Sequence, residues 1–146
     1  MKTKIFLPLL TLTLTASLLV AQPVPELAAL TGNHETITAQ AETETSWWLG
    51  TTHGIYRITK KNMKVKHYTT SNSLLPSDFI TSICAMSDGQ VYIGTKKGIL
   101  RYDRFAFLII STENSRLPSD NIRSLDCNSP KGIVVETEAD FSCPIK

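Results

Sequence analysis

The sequence predicts an all-β protein, a partial β-propeller of about three four-stranded antiparallel blades that form an incomplete ring. Leu-Pro-Ser-Asp occurs twice, with Pro76 and Pro118 42 residues apart. The segment "WLGTTHGIYRI" (Trp48–Ile58) returns 44 residues later as "YIGTKKGILRY" (Tyr92–Tyr102). Short β-prone segments separated by turn residues fill each period. Four short strands repeated every 42 to 44 residues are typical of a propeller blade.

The first residues predict a secretory signal peptide over 1–21. Lys2 and Lys4 precede an apolar run, Ile5–Val20, that is followed by the small residue Ala21. The run is shorter than the ~20 residues of a membrane-spanning helix. We therefore expect cleavage after Ala21, a linker over 22–35, a periplasmic or secreted location and no stable membrane span. The alternative is an uncleaved N-terminal anchor.

The charge of the chain argues against a nucleic-acid partner. The full sequence has 15 basic and 13 acidic residues, and two of the lysines lie in the predicted signal peptide. The mature chain is therefore formally neutral and lacks the basic surface that nucleic-acid binding requires. Its length of about 125 residues suits one modest domain.

The three cysteines allow at most one disulfide within the chain. Cys127 and Cys143 lie on neighbouring predicted strands and are the favoured pair, and Cys84 then remains unpaired. The alternative is that all three are buried as small apolar side chains. The three histidines lack metal-ligand spacing, so no metal site and no cofactor are expected.

The middle copy of the repeat shows its four strands most clearly. Asp88-Gly89 predicts a hairpin turn in which both central residues have positive φ, and Gly98 suits a second turn in the left-handed region. The predicted strands are "FITSICAM", "QVYIGT", "ILRYD" and "AFLIIST". The blade copies span roughly 36–70, 71–112 and 113–146.

Residues that recur at the repeat period are assigned a structural role. In the third copy Glu136 and Asp140 replace the two recurring glycines, which weakens the signal for its second turn. The repeat residues are Gly50, Thr51, Gly54, Pro76, Asp78, Asp88, Gly89, Gly94, Thr95, Gly98, Pro118 and Asp120.

The pattern "LPSD…ITSI…SDGQVYIGTKKGILRYD" resembles the two-component-regulator propeller repeat, over roughly Ile37–Phe141. The resemblance implies the periplasmic sensor region of hybrid two-component systems in Bacteroides-like bacteria, with an oligosaccharide as the ligand. The chain ends at Lys146 without a kinase or DNA-binding segment, so we expect a fragment that cannot signal alone.

Three copies cannot close a ring, because propellers typically have about four to eight blades. Each terminal blade is then expected to expose an apolar face. The leading expectation is a non-enzymatic fragment of a sensor propeller. The alternative is an autonomous interaction module that completes a ring by self-association or with a partner protein. A third reading, a propeller lyase or hydrolase, needs convergent acid and base groups that the sequence does not offer.

Three residues are candidate ligand contacts: Trp47, Trp48 and His53. Flat indole rings can stack on sugars, but Trp48 aligns with Tyr92, which favours a core position between blades. The loops that contain Leu-Pro-Ser-Asp, with the turns at Thr52-His53 and Lys96-Lys97, are the other candidate surface. The Ser-Asp pair itself has no histidine beside it to act as a base, so its predicted role is structural.

Overall fold

The computed structural model describes residues 35–139 and 141–145, with the backbone alone for 141–144. The predicted signal peptide and all but the last residue of the predicted linker lie outside the described residues. Residues 35–145 fall within one compact unit. No helix in the described part is long and apolar enough to cross a membrane.

Three antiparallel sheets follow one another along the chain. The first and second have four strands each in sequential order, and the third has three in the order β11-β10-β9. The strands of the first sheet are β1 (Ile37–Glu42), β2 (Ser46–Thr51), β3 (Gly54–Thr59) and β4 (Lys64–Tyr68). Those of the second are β5 (Ile80–Ala85), β6 (Val91–Thr95), β7 (Gly98–Tyr102) and β8 (Phe107–Ile110). Those of the third are β9 (Ile122–Asp126), β10 (Ile133–Thr137) and β11 (Phe141–Ile145).

The prediction of an all-β fold made of antiparallel blades is confirmed. The third sheet differs from the expected four strands, because the described residues supply only three.

The turn between the second and third strands is built in the same way in the first two sheets. Gly54 and Gly98 both have φ of 116°, a backbone conformation that glycine adopts without strain. The hydroxyl of Thr51 donates to the carbonyl of Gly54 at 3.0 Å, and the hydroxyl of Thr95 donates to the carbonyl of Gly98 at 2.8 Å. These hydrogen bonds give the recurring threonine and glycine one shared function, the closure of this turn.

The aspartate of each Leu-Pro-Ser-Asp holds the loop that leads into the next sheet. Asp78 accepts hydrogen bonds from the backbone N–H of Thr70 at 2.7 Å and from its hydroxyl at 3.3 Å. Asp120 accepts the same two bonds from Thr112, at 2.7 and 3.2 Å. Both carboxylates therefore hold their own loop through local hydrogen bonds.

The same loops are joined to the preceding sheet. The carbonyl of Asp78 accepts from the N–H of Gly54 at 2.8 Å, and the carbonyl of Asp120 accepts from the N–H of Gly98 at 2.7 Å. The motif thus bonds through its side chain to its own loop and through its backbone to the turn of the sheet before it.

The hairpin at Asp88-Gly89 differs from the predicted geometry. Gly89 has φ of 86°, whereas Asp88 is not among the residues with positive φ. The N–H of Gly89 donates to the carbonyl of Met86 at 3.0 Å, and the N–H of Met86 donates to the carbonyl of Gln90 at 2.8 Å. This is a three-residue loop, in which only the glycine takes the left-handed conformation.

Glycine in the second strand of a sheet allows the next sheet to pack directly on the backbone. A Cβ added at Gly50 would lie 2.9 Å from Cβ of Ile80 and 3.3 Å from Cδ1 of Ile83, both on the second sheet. At Gly94 the added Cβ would lie 2.9 Å from Cγ2 of Ile122, on the third sheet.

Two buried clusters fill the spaces on either side of the second sheet. The cluster toward the first sheet includes Trp48, Ile55, Leu75, Ile80, Val91, Ile93, Leu100 and Tyr102. The cluster toward the third sheet includes Cys84, Tyr92, Ile99, Ile110, Leu117, Ile122, Ile133 and Val135.

The structure pairs different cysteines from those expected. Cys84 on β5 forms a disulfide with Cys127, which directly follows β9, and their Cα atoms are 5.9 Å apart. The sequence argument for Cys127 and Cys143 was wrong, because it compared strands within one sheet. The bond instead joins the first strand of the second sheet to the residue that follows the first strand of the third sheet, and these two strands are in contact.

Gly50→Ala should destabilise the protein by about 1–3 kcal/mol, because the added methyl overlaps Ile80 in a filled core. Urea unfolding followed by tryptophan fluorescence measures this change. Ser87→Ala, in the exposed turn of the second sheet, is the control and should change stability by less than about 0.5 kcal/mol. A Gly50→Ala protein as stable as the control would contradict the close approach of the two sheets.

The disulfide predicts how many thiols react. Unfolded without reductant, the chain should show one reactive thiol, and unfolded after reduction it should show three. Cys143→Ser should remove the single thiol, since Cys84 and Cys127 are bonded. If that variant still shows a reactive thiol before reduction, the assigned pairing is wrong. Reduction should also lower stability by about 2–4 kcal/mol.

Candidate functional site

A cleft of about 710 Å³ opens between the first and second sheets. It lies at the end of the sheets where β1 meets β2 and β5 meets β6, and its lining includes the loops 43–45 and 86–89. Side chains of Trp48, Arg57, Tyr102 and Arg104 complete much of the lining. A volume of this size falls within the ~300–1,000 Å³ of small-molecule sites.

Arg57 lies between two aromatic rings in this cleft. Its guanidinium carbon is 5.2 Å from the ring centre of Trp48 and 4.9 Å from that of Tyr102. Its Nε donates to the hydroxyl of Ser46 at 3.0 Å, and its Nη1 donates to the hydroxyl of Tyr102 at 2.8 Å. Ring contacts and hydrogen bonds from two sheets thus fix a partly buried cation.

Arg57 has no carboxylate partner in the described part of the chain. The ion pair found there joins Lys60 to Glu42 at the edge of the cleft. The charge of Arg57 is balanced by ring faces and hydroxyls alone, so it remains able to attract an acceptor group of a bound molecule.

The second sheet carries an equivalent arginine in a different environment. Arg101 pairs with Tyr92 across two strands as Arg57 pairs with Trp48. In the third sheet, Ile145 occupies the position that Tyr102 has in the second sheet. Ile145 pairs with Ile133, just as Tyr102 pairs with Val91. Because isoleucine has no hydroxyl, Arg101 lacks the acceptor that Tyr102 offers to Nη1 of Arg57. The buried Nε of Arg101 is also without a hydrogen-bond partner among the described residues.

Polar groups surround the opening of the cleft. Glu44 is exposed, and Asp88 accepts a hydrogen bond from the N–H of Gln90 at 2.9 Å. Arg104 has φ of 79° and lies in a turn that Asp103 holds by accepting from the N–H groups of Phe105 and Ala106. The hydrogen bonds from Ala106 and then Phe105, with the nearby charge of Arg101, lower the pKa of Asp103.

Two features of the aromatic residues make the cleft suitable for a ligand. The indole N–H of Trp48 is buried without an acceptor among the described residues, although Trp48 lines the cleft. Phe105 follows Arg104 and is 91% exposed, the largest exposure among the large apolar side chains described. Trp48 therefore contributes a buried ring to the lining, and Phe105 is an exposed ring next in sequence to the lining residue Arg104.

The predicted contact residues lie in three different places. Trp48 is only 1% exposed, and its ring packs against Tyr68 and Tyr102 in the core between the sheets. Trp47 alternates to the opposite face of β2, with Nζ of Lys60 5.1 Å from its ring centre. His53 lies in an exposed turn at the other end of the sheets, where its Nδ1 is 2.9 Å from the hydroxyl of Thr52.

The Leu-Pro-Ser-Asp loops also lie at that other end, with the turns at Thr52-His53 and Lys96-Lys97. Consecutive connections of an antiparallel sheet alternate between its two ends, which separates these loops from the cleft. Within the described residues no group of three His, Cys, Asp or Glu side chains could hold a metal ion. The cleft offers donors, acceptors and ring faces, the chemistry of binding a polar molecule.

The sequence did not mark Arg57 as a candidate contact, because Arg101 recurs at the same position of the repeat. The available signal was the departure from the repeat: Ser46, which accepts from Arg57, is replaced by Gln90 in the next copy. Residues that differ between copies mark the place where one blade interface differs from the other.

Tyr102→Phe should lower the free energy of unfolding by about 1 kcal/mol, because it removes the acceptor of Arg57 and the donor to the carbonyl of Arg104. Tyr68→Phe is the matched control: Tyr68 also stacks on Trp48, and we expect a smaller change there. Urea unfolding of both variants measures the difference. Equal effects of the two substitutions would show that the hydroxyl of Tyr102 contributes nothing specific.

Comparison with solved structures places this geometry in context. The extracellular domain of the putative hybrid two-component system BT3049 from B. thetaiotaomicron matches with TM-score 0.60 and 26% identity over 73% of this chain and 15% of its own length. That of the putative one-component system BT4673 from the same organism matches with TM-score 0.58 and 28% identity, over 70% and 14%. PorZ, an essential surface component of the type-IX secretion system of Porphyromonas gingivalis, shares the fold with TM-score 0.56 and 20% identity, over 73% and 17%.

No protein-family model matches the sequence, and no curated protein matches it either. The chain spans about 15% of the length of the BT3049 domain. The likeness predicted from the repeats is confirmed at the level of structure: this chain is similar in fold and sequence to extracellular domains of putative one- and two-component systems.

Proposed function

We propose that this chain is an exported, non-enzymatic segment of a sensor propeller that binds an oligosaccharide in the cleft between its first and second sheets. The observation that carries the proposal is the cleft itself, in which Arg57 is fixed between two rings without a carboxylate partner among the described residues. The similar extracellular sensor domains support a role in recognition outside the cell.

The chemistry of the cleft suits a molecule with many hydroxyl groups. Sugar hydroxyls both donate and accept hydrogen bonds. The guanidinium of Arg57 is a donor, and the carboxylates of Glu44 and Asp88 are acceptors at the rim. The exposed ring of Phe105 adds a surface on which a sugar can stack.

The proposed location is the periplasm or the exterior, reached by a signal peptide that is cleaved after Ala21. The Cys84–Cys127 disulfide supports this location, since such bonds persist in oxidising compartments. The segment would recognise the ligand, and transmission of the signal would depend on other parts of a receptor.

A glycan array probed with the purified chain tests recognition, and titration calorimetry with a bound glycan then tests the site. Glu44→Ala should weaken binding about fivefold, the loss of roughly one hydrogen bond at the rim. Glu113→Ala is the matched control, an exposed glutamate in the Leu-Pro-Ser-Asp loop at the other end, and it should leave affinity unchanged.

The outcomes separate the two parts of the proposal. Weakening by Glu113→Ala and not by Glu44→Ala would move the site to the opposite end of the sheets. A chain that is folded, with its disulfide formed, and binds no glycan would contradict the assignment of an oligosaccharide.

A further inference from the structure

Each of the first two sheets turns one face toward the sheet that follows it, and we name this its front face. On the front face of the first sheet Gly50 contacts Ile80, and on that of the second sheet Gly94 contacts Ile122. A glycine is needed at both positions because an isoleucine of the next sheet occupies the place of its side chain.

The third sheet has a charged residue at that position. Glu136 pairs with Ser124 across the two strands, just as Gly94 pairs with Ser82 in the second sheet. The hydroxyl of Ser124 donates to Oε2 of Glu136 at 3.0 Å. The carboxylate thus lies on the front face, where the earlier sheets present bare backbone.

Apart from Val134, the neighbouring side chains that the structure describes on this face are polar. In β10, Ile133, Val135 and Thr137 are buried toward the second sheet, whereas Val134 and Glu136 alternate to the front and are partly exposed. On β9, Ser124 and Asp126 pair with these two residues and are exposed. The described side chains of β9 and β10 therefore do not form the extended apolar face expected on a terminal blade.

The second sheet shows what a covered front face looks like. Its corresponding residues on β5 and β6, Cys84 and Tyr92, are buried at 1% and 8% exposure, and Ile122 of the third sheet packs on Gly94 of the same face. Both side chains belong to the cluster that the third sheet completes. Asp126 and Val134 occupy these two positions in the third sheet.

We propose that the third sheet is a terminal cap, whose front face does not accept a further blade in the packing that joins the first three sheets. A following isoleucine would overlap the side chain of Glu136, and the buried carboxylate would lose water without gaining a cation. Polar outer faces are what end a stack of repeats. A six-bladed ring of two chains is therefore not formed through this face.

The first test exchanges the residues of two equivalent positions. Gly94→Glu places a carboxylate between the second and third sheets and should detach the third sheet. Detachment would be measured as rapid proteolysis within 113–139 and as a fall in Tm of at least about 8 °C. Glu136→Gly removes it from the front face and should shift Tm by less than about 3 °C. A Gly94→Glu protein that keeps its third sheet protected would overturn the proposal, because the carboxylate would then be compatible with a packed neighbour.

The second test offers the chain a further blade. Residues 104–146 are repeated after Lys146, which supplies a fourth strand to the third sheet and then a copy of the third sheet itself. With Glu136 in place the added copy should be digested down to the length of the original chain. With Glu136→Gly in the first copy, the added copy should be digested at least tenfold more slowly.

Protection of the added copy while Glu136 is present would overturn the cap. If Glu136→Gly does not protect the added copy from digestion, Glu136 is not the residue that prevents a further blade from packing. On the natural chain, light scattering should show a monomer, and a dimer that Glu136→Lys dissociates would contradict the proposal.

Discussion

The structure depends on one contact that is repeated between sheets: the backbone of a glycine in the second strand of one sheet against an isoleucine on the first strand of the next. Gly50 meets Ile80, and Gly94 meets Ile122. A side chain at either glycine would hold the sheets apart, and the two buried clusters between them could not be filled. The blades can stack in this way because these two positions carry no side chain. At the equivalent position of the third sheet, the side chain of Glu136 prevents the same packing.

Hydrogen bonds keep the stacked sheets in register at one end of the molecule. Each Leu-Pro-Ser-Asp loop bonds to itself through the aspartate carboxylate and to the turn of the preceding sheet through the aspartate carbonyl. The disulfide between Cys84 and Cys127 adds a covalent link between the second and third sheets. The polar groups at this end form structural hydrogen bonds, whereas the cleft lies at the opposite end.

Residues that recur in each copy build the scaffold, and residues that differ between the copies build the candidate site. Arg57 and Arg101 are equivalent in position, yet only Arg57 has the hydroxyls of Ser46 and Tyr102 around it. Differences between copies at Gln90 and Ile145 remove these partners from the second interface. One blade interface thus became a candidate binding site while its neighbour, closed by a disulfide, remained structural.

The all-β architecture and the strands of the middle copy could be predicted from the sequence alone, because periodicity and turn chemistry act over a few neighbouring residues. The cysteine pairing and the position of Arg57 between Trp48 and Tyr102 could be found only in the tertiary structure. Those contacts join residues up to 45 positions apart, on sheets whose facing surfaces are set by packing. Local patterns specify each blade, whereas the site exists only where two blades meet.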